Sequence, residues 1–195
     1  MNAFAYRSET ARLARPNGWW GMAVFVATEA TLFGTLVGTY FFLRFNNAKW
    51  PPPGVPDPKL TLPIVLTGIL VATSIPVQLS VRAASRGRLG AARTALFLAA
   101  IVQAGYLGMQ LHLFVHDSHE FPPSGSAYSS IYFTLLGAHD LHVLVGILLS
   151  LWFLLRTVSG LTKYRMTGLR ATAFYWHFVN ALVLAVLLTQ LSPRL

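Results

Sequence analysis

Five runs of apolar side chains, each long enough to cross a bilayer, decide what this chain can fold into. They cover Trp19 to Phe45, Pro63 to Val81, Arg93 to Phe114, Tyr128 to Leu155 and Ala171 to Leu191. About 20 apolar residues span the hydrocarbon core as a helix. The first and fourth runs are long enough to tilt. Trp19, Trp20, Trp50 and Tyr128 stand near run ends, where amphipathic rings favour the interface. Of 195 residues, 54% are apolar and 11% are charged, against roughly 25% charged in a soluble domain. The expected fold is therefore an all-α integral membrane protein, a bundle of five transmembrane helices forming a single domain over residues 1–195.

The charges lie in the tail and linkers. Lys and Arg number 3 in the N-terminal tail, 4 in the second linker, 4 in the fourth linker and 4 on the other side. The positive-inside rule then places the N-terminus in the cytoplasm and the C-terminus outside. The net charge of +9 is explained by these short basic segments beside spans, so a nucleic-acid partner is not implied. The tail could pass for the n-region of a signal peptide. The apolar run after it has 27 residues, too long for an h-region of roughly 7–15, so it reads as a retained helix. The absence of cysteine excludes disulfides, thiolate metal sites and covalent haem attachment. The linker WPPPGVPDPK, Trp50 to Lys59, is proline-rich and expected to be extended. Pro76, inside the second run, is expected to kink its helix.

Polar residues inside the membrane are the candidate site. Glu29, the only acid of the first run, is ten residues past Trp19 and so about 15 Å deep. Gly34 and Gly38 form a GxxxG pattern roughly 180° around the helix from it, a small-residue face suited to helix packing. The fourth run holds His139 and His142, three apart and on a shared face, with Asp140 about 100° away. The fifth run holds His177 and Asn180 at the same spacing. Such residues admit three roles: metal or haem ligation, with His142 and His177 as facing ligands; proton relay; or interhelical hydrogen bonding. His112, His116 and His119 could form a surface metal site if their helix continued. Pro122 and Pro123 follow closely, so that segment is expected to turn into loop.

Three segments together resemble subunit III of the haem–copper terminal oxidases, the cytochrome c and quinol oxidase family. FVATEATLFGTLVGTYFFLR resembles the helix bearing the family's membrane-buried glutamate, at Glu29. AYSSIYFTLLGAHDLHVLVGILL resembles its Gly-x-His-Gly-x-His-Val helix, with His139 and His142 on the two histidines. AFYWHFVNALVLAVLLTQ resembles the final Tyr-Trp-His-Phe-Val helix, matched by Tyr175 to Val179. The likeness runs from about Trp19 onward and fits the short bacterial form with five helices. The chain departs from the pattern at Asp140, where the family has Gly, and at Asn180, where it has Asp. The family's Gln-x-x-Glu ends here in Tyr106 after Gln103.

The resemblance implies an accessory subunit with no catalytic, cofactor-binding or metal-binding residue of its own. Haem and copper would lie in partner subunits, chiefly subunit I, with subunits II and IV as further neighbours. It implies structural phospholipid in a cleft, support of proton uptake, and a place in the inner membrane of a bacterium. Glu29 is then expected to face His139 or His142 across a polar crevice. The alternatives are a stand-alone membrane redox protein or proton-coupled carrier built on Glu29, His139, His142 and His177, the equivalent subunit of a nitric oxide reductase, or an assembly factor.

Overall fold

The computed structural model describes residues 17–56, 60–158 and 162–194. Arg7, Arg12, Arg15 and Lys59, which entered the charge count, lie outside them. Helix α1 is Asn17–Phe45, α2 Thr61–Ala72, α3 Ser74–Ser85, α4 Leu89–Glu120, α5 Ala127–Val158 and α6 Lys163–Leu191, with a 3-10 turn at Ser192–Arg194. Helices α2 and α3 are halves of one span, so among the described residues five helical segments are long and apolar enough to cross a membrane. Every described regular element is helical. The helices run a few residues past the apolar runs, because polar side chains are tolerated once a helix reaches the interface.

The break within the second span falls at Thr73, three residues before Pro76. Proline has no N–H to offer the Ala72 carbonyl, and its ring crowds that carbonyl. The chain responds by tightening: the Thr73 N–H donates to Leu70 O at 3.0 Å, three residues back. Pro76 then sits in the first turn of α3, where it is tolerated.

Two expectations are corrected. Helix α4 does not give way to loop after Phe114; it continues through His116 and His119 to Glu120 and stops at the extended Phe121. Pro122 restricts only the residue just before it, which leaves the earlier histidines free to stay helical. The described part of the Pro-rich linker also turns back on itself. Gly54 takes φ +95°, which side chains rarely adopt, and the Val55 N–H donates to Pro52 O at 3.2 Å.

Helix α6 is the centre of the bundle and packs on α1, α2, α3 and α5, while α4 packs on α2, α3 and α5. More than half of the apolar window of α6, 56%, is buried, against 6% for α1, which packs on α5 and α6. The core joins Leu70 and Val77 of the second span to Val143 of α5 and to Trp176 and Val179 of α6. Packing is tightest where α5 meets α6. A Cβ at Gly146 would run into the ring of Trp176, itself 1% exposed.

The close approach at Gly146 has a measurable cost. Gly146→Ala should lower the unfolding free energy of the detergent-solubilised protein by about 1–3 kcal/mol, as overpacking does. Gly105→Ala, where a Cβ meets nothing within 4 Å, should leave it unchanged or slightly raised. Thermal or denaturant unfolding of the two variants checks both.

Candidate functional site

Helix α1 turns one face to the bundle, built from residues four, seven and eleven positions apart. Glu29, Phe33, Leu36 and Tyr40 share that face. Phe33 is 2% exposed and Tyr40 1%, so the helix is held by two aromatic anchors and one acid. Near its end, the Tyr40 hydroxyl lies 2.9 Å from Ser192 Oγ and accepts the Trp50 indole N–H at 3.0 Å. The Trp50 ring stands edge-on to Tyr128, with centroids 5.1 Å apart.

At mid-helix, Glu29 Oε2 lies 3.0 Å from Nε2 of His142 on α5. The other ring nitrogen, Nδ1, is 2.7 Å from the carbonyl of Ala138. A carbonyl only accepts, so Nδ1 carries a hydrogen and donates it. One further proton then lies between Nε2 and Oε2. Bonded to oxygen it gives a neutral acid beside a neutral imidazole; bonded to nitrogen it gives a carboxylate beside an imidazolium. Either way the couple has no net charge, which makes a half-sheltered acid affordable in a membrane. The ring is packed edge-on to Phe33 with centroids 5.2 Å apart, and lies near-parallel to Tyr175 at 6.5 Å. The Tyr175 hydroxyl donates to the His142 carbonyl at 3.0 Å.

The two histidines of α5 do not act together. His142 faces α1, whereas His139 points to the interior, 2% exposed and edge-on to Tyr106 of α4 at 6.3 Å. Three residues leave an angle of about 60° on a helix. That is enough to divide them, because α1 and α4 pack on different sides of α5. His139 Nδ1 instead lies 3.7 Å from Oδ1 of its neighbour Asp140.

His177 and Asn180 form a third arrangement, at the kink of the second span. Asn180 Nδ2 donates to Ser74 Oγ at 2.6 Å. His177 places its nitrogens 3.3 Å from Ser74 Oγ and 3.3 Å from Gln78 Oε1. Just before them in sequence, the Trp176 indole donates to Thr73 Oγ1 at 2.8 Å. Sequence reasoning named Pro76 but missed Thr73, Ser74 and Gln78 as its polar company. The signal available was a Thr-Ser pair just before a mid-membrane proline, where hydroxyls re-satisfy a disturbed backbone.

These placements bear on ligation. Both nitrogens of His142 are engaged within the chain, by Ala138 O and Glu29 Oε2. Among the described residues, no three His, Cys, Asp or Glu side chains group closely enough to hold a metal ion. His112, His116 and His119 are exposed on α4, and His116 Nε2 lies 3.3 Å from Glu120 Oε1. Gly34 and Gly38 are exposed, and a Cβ at either would meet nothing within 4 Å. Among the described residues they pack against no other helix. The hydroxyls of Thr31, Thr35 and Thr39 beside them each bond the carbonyl four residues back, so that face offers no free polar group.

Fold and site together define a multi-pass helical membrane protein whose buried acid is answered by an imidazole from a neighbouring helix. The chain belongs to the cytochrome c oxidase subunit III family, whose model matches residues 9–191. It is 34% identical over 164 residues to the probable cytochrome c oxidase subunit 3 of Nocardia farcinica, covering 82% of this chain and 80% of that one. It is 33% identical over 180 residues to the quinol oxidase subunit 3 of Bacillus spizizenii, covering 90% and 84%. It is 31% identical over 175 residues to the cytochrome bo(3) ubiquinol oxidase subunit 3 of Pseudomonas aeruginosa, covering 87% and 82%. As a subunit III it is part of an oxygen-reducing haem–copper oxidase.

If Glu29 and His142 share a proton, their contributions are coupled. A cycle of Glu29→Ala, His142→Ala and the double variant should show a stability coupling of about 0.5–2 kcal/mol. The same cycle with His139→Ala in place of His142→Ala should be additive. Unfolding free energies in detergent measure both.

Proposed function

We propose that this chain is the accessory subunit III of its oxidase and carries no redox centre. Electron transfer and oxygen reduction then occur in partner subunits, where haem and copper reside, and subunit I is the main neighbour. The observation that carries this reading is the closed hydrogen bonding of His142. Its nitrogens are taken up by Ala138 O and Glu29 Oε2, a pairing that supports a structural role. The same pairing counts against a stand-alone redox protein built on His142.

In this reading residues 1–195 act as one transmembrane unit in the inner membrane of a bacterium. The N-terminus lies in the cytoplasm and the C-terminus outside, as the excess of Lys and Arg at one end favours. The exposed small face of α1, with Gly34 and Gly38, supports close docking of a helix from a partner subunit. Glu29, 22% exposed in its side chain, borders the lipid side of α1, where phospholipid would lie against the bundle. Binding of that lipid, stabilisation of subunit I and support of proton uptake complete the role. The relatives include both cytochrome c and quinol oxidases, so the electron donor is a property of the partner subunits.

Two experiments test this. Glu29→Ala in the purified complex should loosen retention of this subunit or of lipid and leave the haem spectrum and haem content unchanged. Loss of haem in proportion to the variant would contradict the cofactor-free role. For orientation, the absence of cysteine allows single thiols to be introduced at exposed positions. Ser124→Cys should react with an impermeant maleimide added to intact cells, and Ser85→Cys only after the membrane is opened. The reverse pattern would invert the topology.

A further inference from the structure

The interface of α4 and α5 holds a polar seam that the subunit III role does not use. On α4, Gln103, Tyr106 and Gln110 follow at intervals of three and four, on one face, and all are buried. Against them α5 sets His139 and Asp140, 2% and 4% exposed. Five side-chain atoms here lack a hydrogen-bond partner: both amide atoms of Gln103, Nε2 of His139 and both carboxyl oxygens of Asp140. Buried polar atoms are nearly always paired, with protein or with ordered water. Orphans of both kinds, donor and acceptor, on facing helices call for a small ligand that donates and accepts alike.

The bundle contains a way in. At the end opposite the basic loops, a cavity of about 240 Å³ is bordered by His116, Asp117 and Glu120 of α4 and by Tyr128 and Tyr132 of α5. The Tyr132 hydroxyl donates to Asp117 Oδ2 there at 2.9 Å. Deeper lies a second space of about 10 Å³, bounded by Thr67, Tyr106, Gln110, His139 and Gln190 among others. Pro63, Gln110, Leu136 and Gln190 line both spaces, so the two adjoin. The inner one has room for about one water, and its walls offer the two to four polar partners a buried water needs. A space of this size lined only by Leu, Val and Phe would stay dry.

We propose that water enters the bundle from the wide cavity, passes between Gln110 and Gln190, and hydrates His139 and, behind it, Asp140. Water supplies the missing partner of His139 Nε2 and reaches toward the carboxyl group held 3.7 Å from the other ring nitrogen. The seam thus joins a buried acid and imidazole at mid-membrane to the compartment on the α4–α5 loop side. The Glu29–His142 couple faces α1 and is not on this route. Nothing in the route depends on how the subunit serves its oxidase.

X-ray radiolytic labelling of the purified complex, read by mass spectrometry, detects side chains in contact with bound water. Tyr106 and His139 should be oxidised several-fold more than Trp176, which is equally buried but borders neither space. A brief exposure to ¹⁸O-labelled water before irradiation should put ¹⁸O into the products at both residues. Gln110→Leu, which replaces the side chain common to both spaces, should lower labelling of Tyr106 and His139 and leave Trp176 unchanged. The proposal is overturned if wild-type Tyr106 and His139 are labelled no more than Trp176. It is also overturned if their products hold only ¹⁶O after labelled water has reached the loop residues, a result that needs no variant to fold.

Discussion

A carboxyl group on the lipid side of a membrane helix needs a partner from the same protein, since lipid tails offer none. The contact of Glu29 with His142 meets that need, and much of the architecture follows from it. It fixes which face of α1 looks inward, aligning Phe33 and Tyr40 with the core. It fixes the rotation of α5, because His142 can reach α1 only if His139 turns to the interior. The Ala138 carbonyl completes the arrangement by holding Nδ1 as the donor, so that Nε2 meets the acid with one shared proton. The exposed glycine stripe of α1 is the other side of the same rotation.

Elsewhere the bundle handles polar groups by similar means. At the kink of the second span, Thr73, Ser74 and Gln78 take up the indole of Trp176 and the side chains of His177 and Asn180. Pro76 disrupts one helix and so brings hydroxyls to a place where α6 can use them. At the basic end, Arg93 of α4 reaches the carbonyl of Thr157 in the last turn of α5, a cation on unpaired helix carbonyls. These contacts are interhelical, and in membranes each contributes only about 0.6 kcal/mol on average. Their value is in setting rotation and register, while close packing such as that of Trp176 on Gly146 contributes cohesion.

The large features were legible because lipid leaves the chain little choice. Five long apolar runs could only be helices, and the spacing of Glu29, Phe33 and Tyr40 could only make one face. The partner of Glu29 was narrowed to two histidines and no further. Their directions differ by about 60°, and where α1 packs on α5 is a tertiary fact that neither segment encodes alone. The persistence of α4 to Glu120 was missed because prolines two residues beyond a helix end restrict less than their presence suggests. The hydroxyl company of Pro76 and the Gln103–Tyr106–Gln110 stripe were overlooked for another reason. Polar residues at helical spacing acquire meaning only once the facing helix is known. The displacement of an acid from position 106 to Asp140 was visible, but its neighbours were not.

The state of the His142 ring tests the whole account most directly. Solid-state NMR of the ¹⁵N-histidine-labelled chain in lipid, with His142 assigned by its loss in His142→Gln, reports each ring nitrogen separately. The shared-proton couple predicts a protonated Nδ1, and an Nε2 signal that moves in Glu29→Gln while the His139 signals stay in place. An Nε2 signal unmoved by Glu29→Gln, or a response at His139 in its stead, would contradict it.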